Sequence, residues 1–222
     1  MTSIPGIAHL DTWQLVALAG AMGWASGIRL YAVLFIVGGV GFLGWVDLPH
    51  GLRLLMHPWV LGASGFMCFM EFFADKIPGV DSLWDLVHTF IRIPAGAALA
   101  ASVFGDAPGA ATLAAAIVGG SLAAGSHLAK SGSRAMINTS PEPFSNWAAS
   151  FGEDLAVGTV LWLAFAYPIV AIVVLVVLVA LMIWLIPKLW RFITAIVRKI
   201  HGALGGSSLE RREDSAPHST DV

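Results

Sequence analysis

The chain has 222 residues, of which 57% are hydrophobic and 12% are charged. Soluble domains carry about 25% charged residues, so the composition excludes an ordinary soluble domain and indicates a single membrane domain. The lone Cys68 excludes a disulfide or a cysteine-ligated metal site within the chain, and nothing in the formal net charge of −2 indicates nucleic-acid binding.

The basic residues are unevenly distributed along the chain. Six of the twelve lie near the C-terminus: Lys188, Arg191, Arg198, Lys199, Arg211 and Arg212. The positive-inside rule therefore predicts a cytoplasmic C-terminal end. The N-terminal segment, residues 1–11, lacks the basic region and cleavage pattern of a signal peptide, so we expect the first hydrophobic segment to be retained. We predict about six crossings, with both termini cytoplasmic.

The first hydrophobic segment, Thr12–Val46, is longer than the roughly 20 residues that a span needs. Gly27 and Arg29 interrupt it. This pattern predicts two half-helices or one long, broken helix. It leaves open whether the segment crosses once or forms a re-entrant hairpin.

The second span is predicted at Pro58–Ala74, and one of its faces is polar. Ser64, Cys68, Glu71 and Asp75 follow helical spacing on that face. Glu71 and Asp75 are candidates for binding a cation or exchanging protons, because ionisable residues at membrane depth are usually functional. The alternative is that both carboxylates lie in water at the helix end and pair with Lys76.

The stretch after Pro94 is too short to cross a membrane alone. The eleven residues from Pro94 to Phe104 precede the loop at Gly105 and make about 16 Å of helix, against a hydrocarbon core of about 30 Å. Either residues 82–104 cross as one helix bent at Pro94, or the segment dips in and returns. Both alternatives place one polar stripe of this segment within the membrane. The stripe consists of Asp81, Asp85, His88 and Arg92. A wet face of an interfacial helix is the competing interpretation.

The remaining chain predicts three more spans and a polar end. Residues 110–129 are rich in small residues and should lie inside the bundle, and residues 130–147 form a polar loop or broken helix. Residues 148–187 suit two spans. The transmembrane domain thus covers 12–187, followed by an amphipathic interfacial helix at 188–201 and a disordered polar tail at 202–222.

A weak internal repeat relates the two halves of the chain. Ala19 to Arg29 aligns with Ala124 to Arg134 at an offset of 105 residues. Three spans per half would make an inverted 3+3 repeat, an arrangement common in transporters. Arg29 and Arg134 are candidates either for clamping an anionic group or for serving as buried counter-ions to Glu71 or Glu153.

Four longer motifs carry a resemblance to a known family. They are Ala25 to Tyr31, Glu71 to Asp85, His88 to Arg92 and Asn138 to Asn146. Together they resemble the bacterial integral-membrane family catalogued as domain of unknown function family 4126. The resemblance implies a small multi-span protein of a bacterial inner membrane and declares no activity. Glu71 to Lys76 is also faintly similar to a signature of manganese/calcium-proton exchangers, but the gap between the acids is one residue longer and a Gly is missing.

These observations predict an all-α, polytopic helical membrane protein that acts as a transporter or channel for a small solute or ion. The candidate binding residues are Arg29, Glu71, Asp75, Asp81, Asp85, His88, Arg92, Arg134, Glu153 and Asp154. The alternatives are a lipid-headgroup enzyme using Asp85, His88 and Arg92, and a non-catalytic scaffold. We expect the lipid bilayer as a partner, no nucleic acid, no cofactor, no metal and no catalytic residues. A homo-oligomer remains open.

Overall fold

The structure is a computed structural model that describes residues 8–77, 79–139 and 143–213. The described chain is almost entirely helical: α1 Thr12–Phe42, a short 3-10 helix His50–Met56, α2 Pro58–Ala74, α3 Val80–Val103, α4 Gly109–Ile137, α5 Pro143–Ala166 and α6 Pro168–Glu213. Two-residue strands, β1 Ala8–His9 and β2 Val46–Asp47, pair in parallel. The predicted all-α, polytopic membrane architecture is confirmed.

Helix α1 folds back on itself at Arg29. It begins at an Asp11 N-cap that forms a capping box with Gln14, and its only non-helical backbone angles are those of Arg29, with φ −141° and ψ 71°. A straight helix of 31 residues would be about 46 Å long, which would separate β1 from β2. Their pairing, Ala8 with Val46, requires that α1 return to the end of the bundle from which it started. Of the alternatives that the sequence left open, the structure has the re-entrant hairpin.

The hairpin decides which segments share an end of the bundle. The Gln14 side chain donates to the Phe165 carbonyl at 2.9 Å, so the start of α1 lies beside the end of α5. At the opposite end, the Leu189 side chain of α6 lies against Gly132 of α4. The start of α1 and residue 189 therefore lie at opposite ends of the bundle, which does not fit the expectation of six crossings with both ends of the chain on one side.

Helices α2 to α6 each run between the two ends of the bundle, and α1 enters and returns. Among the described residues, five helices are long and apolar enough to cross a membrane: α1, α3, α4, residues Phe144–Ala166 of α5 and Pro168–Ala195 of α6. Helix α2 is apolar but shorter. Helix α1 meets this criterion by length and composition, but it is divided at Arg29 and returns, so it does not supply one of the six predicted crossings.

Small residues bring α1, α3 and α4 into contact at the centre of the bundle. A Cβ atom added to Gly23 would lie 2.7 Å from the Gly119 Cα atom, and one added to Gly96 would lie 2.5 Å from the Ala123 Cβ atom. This close approach places α4 inside the bundle, as its small residues predicted. The contacts of Gly23 with Gly119 and of Gly27 with Ala123 show that the first half of α1 and α4 run in the same direction.

This parallel arrangement bears on the repeat. Two halves related by inversion would place the segments around Arg29 and Arg134 in opposite directions, whereas α4 and the first half of α1 run parallel. The structure therefore does not confirm an inverted repeat.

Helix α3 crosses as one continuous helix with Pro94 inside it, which is the first of the two predicted alternatives. Its polar stripe is buried, with Asp85 exposed by 2% and Arg92 by 0%. The opposite face, including Leu86 and Phe90, is exposed where a membrane protein meets lipid. The wet face of an interfacial helix is therefore the wrong interpretation of the stripe.

Two boundaries differ from the sequence predictions. Helix α4 continues to Ile137, so Lys130 and Arg134 belong to the same helix as residues 110–129 and not to a separate polar loop or broken helix. Helix α6 runs without interruption from Pro168 to Glu213, through the segment predicted as a separate interfacial helix and into the segment predicted as a polar tail. Residues 1–7 of the predicted N-terminal segment and 214–222 of the tail lie outside the described residues.

Candidate functional site

The break in α1 leaves backbone carbonyls at the end of a half-helix without their usual i+4 donors. Side chains of α4 replace those donors. The Lys130 Nζ atom donates to the Ile28 carbonyl at 3.1 Å, and the His127 Nδ1 atom lies 3.3 Å from the Gly27 carbonyl oxygen. The Ser126 hydroxyl donates to the Trp24 carbonyl at 2.7 Å. A positive charge at the C-terminal end of a half-helix also suits the helix dipole.

Around this break lies a cluster of nine charged side chains, which we call the ion network. It contains four cations and five carboxylates, contributed by α1, α2 with its C-cap residue, α3, α4 and α5: Arg29, Glu71, Asp75, Asp85, Arg92, Lys130, Arg134, Glu153 and Asp154. Seven of these side chains are exposed by no more than 2%, while Glu153 and Asp154 are exposed by 16% and 35%. The network is therefore buried inside the bundle, except for the two carboxylates of α5, which are partly exposed.

Arg29 links the hairpin tip to the ends of α2 and α5. Its Nη1 atom lies 2.7 Å from Asp75 Oδ2, and its Nε atom lies 3.0 Å from Asp154 Oδ1. The Nη2 atom donates to the Ser150 hydroxyl at 2.8 Å. Arg29 thus serves as a counter-ion to Asp75 and Asp154, and its Nη2 atom also lies 3.8 Å from Glu153 Oε2. Of the two partners that the sequence suggested, Arg29 therefore pairs with Glu153 and not with Glu71.

Arg92 organises the opposite side of the network. Its two terminal nitrogens pair with two carboxylates, Nη2 with Glu71 Oε1 at 2.5 Å and Nη1 with Asp85 Oδ1 at 2.7 Å. The Nη1 atom also lies 3.3 Å from His127 Nδ1, and the other ring nitrogen, Nε2, lies 2.7 Å from the Thr89 hydroxyl. Glu71 is therefore held by an arginine of α3 and is not free in water beside Lys76.

Arg134 connects the network to the loops at the end opposite the N-terminal segment. Its Nε atom donates to Glu153 Oε1 at 3.0 Å, and its Nη1 atom donates to Asn146 Oδ1 at 3.0 Å. The Asn146 amide donates to Asn138 Oδ1 at 2.8 Å, and the Asn138 amide donates to both carboxylate oxygens of Asp81 at 3.1 Å. Asp81 is thus linked to the network through two amides and not through an ion pair.

His88 stands apart from the ion network. Its Nδ1 atom lies 2.8 Å from the Trp84 carbonyl oxygen, so Nδ1 is a donor, and its Nε2 atom lies 3.1 Å from the Tyr31 hydroxyl. Its ring stacks on Trp84 with 4.3 Å between the centroids. The lipid-headgroup hypothesis grouped His88 with Asp85 and Arg92. These contacts of His88 are with Trp84 and Tyr31 and do not bring it to either residue.

Lys76, in the turn after α2, borders the network on the side of α5. Its Nζ atom lies 3.0 Å from the centroid of the Phe72 ring and donates to the Ser150 hydroxyl at 3.3 Å. Burial lowers the pKa of its ammonium, because the charged form loses hydration.

Three buried carboxylates each keep one oxygen without a hydrogen-bond partner among the described residues. The atoms are Glu71 Oε2, Asp75 Oδ1 and Asp85 Oδ2, and the enclosed Oε2 atom of the partly exposed Glu153 also has no hydrogen-bond partner among these residues. A buried acceptor without a partner costs roughly 1–3 kcal/mol. Binding a proton or a cation at these oxygens should therefore be more favourable than binding it at network oxygens that already accept a hydrogen bond.

The structure therefore brings eight of the ten predicted residues into one network and leaves Asp81 and His88 beside it. Sequence reasoning missed Lys130 and His127. A signal was present, since His127, Lys130 and Arg134 fall at i, i+3 and i+7 on one helix face. The predicted helix ended at residue 129, which hid this spacing.

The described residues contain no group of three or more His, Cys, Asp or Glu side chains arranged to hold a metal ion. A cavity of about 410 Å³ opens at the end that holds the N-terminal segment. Its polar lining includes His50, Arg53 and Asp106, and none of the predicted binding residues line it.

Comparison with known proteins identifies one family. The family model described as Domain of unknown function (DUF4126) matches residues 16–188. The match covers the hairpin from residue 16 onwards, all nine residues of the ion network and most of the membrane-spanning part of α6. No curated protein and no solved structure matches the chain.

Proposed function

The chain belongs to the family Domain of unknown function (DUF4126), and from the geometry of the ion network we propose that it is a transporter or channel for a small solute or ion, with proton or cation coupling through buried carboxylates. Five helices long and apolar enough to cross a bilayer make it an integral membrane protein. The observation that carries the proposal is the set of unpartnered oxygens on Glu71, Asp75 and Asp85 beside the broken helix.

Two features support transport over a purely structural role for these charges. Ionisable side chains at membrane depth are costly and usually mark ion or proton pathways. Broken helices at such sites are typical of secondary transporters, where half-helix ends and freed carbonyls contact the substrate or coupling ion. Here the Ile28 carbonyl at the break lies in the same cluster as Asp75 and Asp85.

The distribution of charge supports an orientation. The end that holds residue 189 carries Lys188, Arg191 and Arg198, whereas Arg53 is the basic residue of the loop at the opposite end. The positive-inside rule places the first end in the cytoplasm. In this orientation the start of α1 faces outwards, and the inner membrane of a bacterium is the proposed location.

Flux through proteoliposomes tests the proposal. A pH gradient should drive movement of protons in vesicles that contain the wild-type protein, and Glu71→Gln should abolish it, because the amide keeps the shape but does not titrate. Asp106→Asn, a charge change at an exposed position, should leave flux unchanged. Equal flux in wild type and Glu71→Gln, with both folded, would remove Glu71 from the mechanism.

A scaffold is the second candidate, and one observation favours it. Each cation of the network, Arg29, Arg92, Lys130 and Arg134, contacts at least one carboxylate, so the charges also serve to hold five elements together. A scaffold predicts that wild-type vesicles move no more protons than empty ones, and that the protein co-purifies with a stable partner.

A further inference from the structure

Lys130 has an unusual set of neighbours. Its Nζ atom lies 2.9 Å from Asp75 Oδ2, 3.1 Å from the Ile28 carbonyl oxygen, 3.4 Å from Asp85 Oδ1 and 3.5 Å from Glu153 Oε2. The four oxygens come from four different places: the break in α1, the C-cap of α2, α3 and α5. With Lys130 itself on α4, five parts of the chain meet at one ammonium group.

These neighbours form an oxygen-lined cation site. An ammonium is a compact point charge without preferred planar geometry, and three carboxylates with one main-chain carbonyl are oxygen ligands of the kind that hard cations use. Carbonyls freed by a broken helix hold the coupling cation in some transporters. The side chain of Lys130 is exposed by only 1%, so its charge is enclosed by these groups.

We propose that the oxygens around Lys130 form a monovalent-cation site that the protein fills with its own ammonium, so that removing this ammonium creates a site for a free monovalent cation. The ion network has four cations and five carboxylates, and without Lys130 three cations face the same five carboxylates. Removing Lys130 takes one cation contact from each of Asp75, Asp85 and Glu153, although each keeps an arginine partner. The excess of carboxylates over cations then rises from one to two, and one monovalent cation restores the wild-type balance.

This inference rests on the proposed function for its consequence in the wild-type protein. Because the tethered ammonium already occupies the site, a free metal cation does not bind there. The coupling ion of the wild-type protein is then the proton, accepted by a carboxylate of the network.

Thermal unfolding of the purified full-length chain tests the inference. We would compare wild type, Lys130→Ala and Lys130→Gln in sodium, potassium or ammonium chloride and in N-methylglucamine chloride at equal ionic strength. Lys76→Ala is the matched control, because it also removes one cation at the same end of the bundle. A ligand that binds only the folded state raises Tm with its concentration.

The expected result is a saturable rise in Tm for both Lys130 variants with at least one small cation, relative to N-methylglucamine. Wild type and Lys76→Ala should show no such rise. The glutamine variant guards against a collapsed cavity, since its side chain retains most of the volume of lysine.

Two results would overturn the inference. One is a cation response of the Lys130 variants no larger than that of wild type and Lys76→Ala. The other is failure of both variants to fold in every salt, because a free cation would then be unable to replace the ammonium. This assay needs no transport, so its outcome is independent of whether vesicles show flux.

Discussion

Arg29 and Asp75 form an ion pair with 2.7 Å between Nη1 and Oδ2, and neither side chain is exposed by more than 2%. Arg29 lies at the break of α1, and Asp75 caps the C-terminus of α2. The pair thus holds the tip of the re-entrant hairpin against the connection between α2 and α3. The position of the hairpin within the bundle depends on a charge pair rather than on apolar packing alone.

Neutralising Asp75 should therefore destabilise the protein. Asp75→Asn removes one partner of a buried pair and leaves Arg29 and Lys130 with less compensation, a change that costs on the order of 3 kcal/mol. Thermal unfolding in detergent is the measurement, and Tm should fall clearly. Asp47→Asn is the control, since the Asp47–Arg53 pair is 37% and 56% exposed and such pairs contribute about 0–1 kcal/mol. Equal Tm values for the two variants would contradict this account of the hairpin.

Gly27 should not tolerate a side chain. A Cβ atom there would lie 2.1 Å from Ser126 Oγ and 2.2 Å from the Ala123 carbonyl oxygen, and a backbone neighbour cannot move aside cheaply. Gly27→Ala should therefore lower Tm. Gly62→Ala should not, because no atom lies within 4 Å of its Cβ position and alanine favours a helix by about 1 kcal/mol over glycine. A Gly27→Ala variant as stable as Gly62→Ala would show that α1 and α4 do not approach as described.

The hairpin makes a prediction about sidedness. In a Cys68→Ser background, Thr12→Cys and Arg53→Cys should react with a membrane-impermeant maleimide from the same side of the membrane, because β1 pairs with β2. Thr139→Cys, in the loop after α4, should react from the other side. Labelling of positions 12 and 139 from one side would mean that α1 crosses the membrane completely.

Much of this architecture could be predicted from the sequence because the bilayer imposes strong constraints. The apolar lengths predicted the helices. The shortage of apolar residues after Pro94 left two alternatives, and the structure has the first, one helix that buries Asp85 and Arg92. The polar face of α2 left open whether Glu71 is buried or lies in water beside Lys76, and the structure buries it.

The turn of α1 at Arg29 and the position of Lys130 could not be predicted, because they depend on contacts between segments that are distant in the sequence. Whether the chain turns at Arg29 or continues is decided by the pairing of β1 with β2 and by Lys130, which contacts the carbonyl of Ile28. Neither contact leaves a periodic signal. Lys130 resembled the first residue of a loop because a charged residue ended an apolar run, although its charge is neutralised by carboxylates from three other elements.

The central claim is that a buried carboxylate of the ion network exchanges protons with water. Infrared difference spectra of the protein in lipid, recorded between mildly acidic and neutral pH, measure protonation of carboxylic acids directly. We expect a carboxyl band that appears on acidification of wild type and Asp106→Asn and is lost in Glu71→Gln. Identical difference spectra for all three proteins would contradict the claim and would leave the ion network as a structural lock.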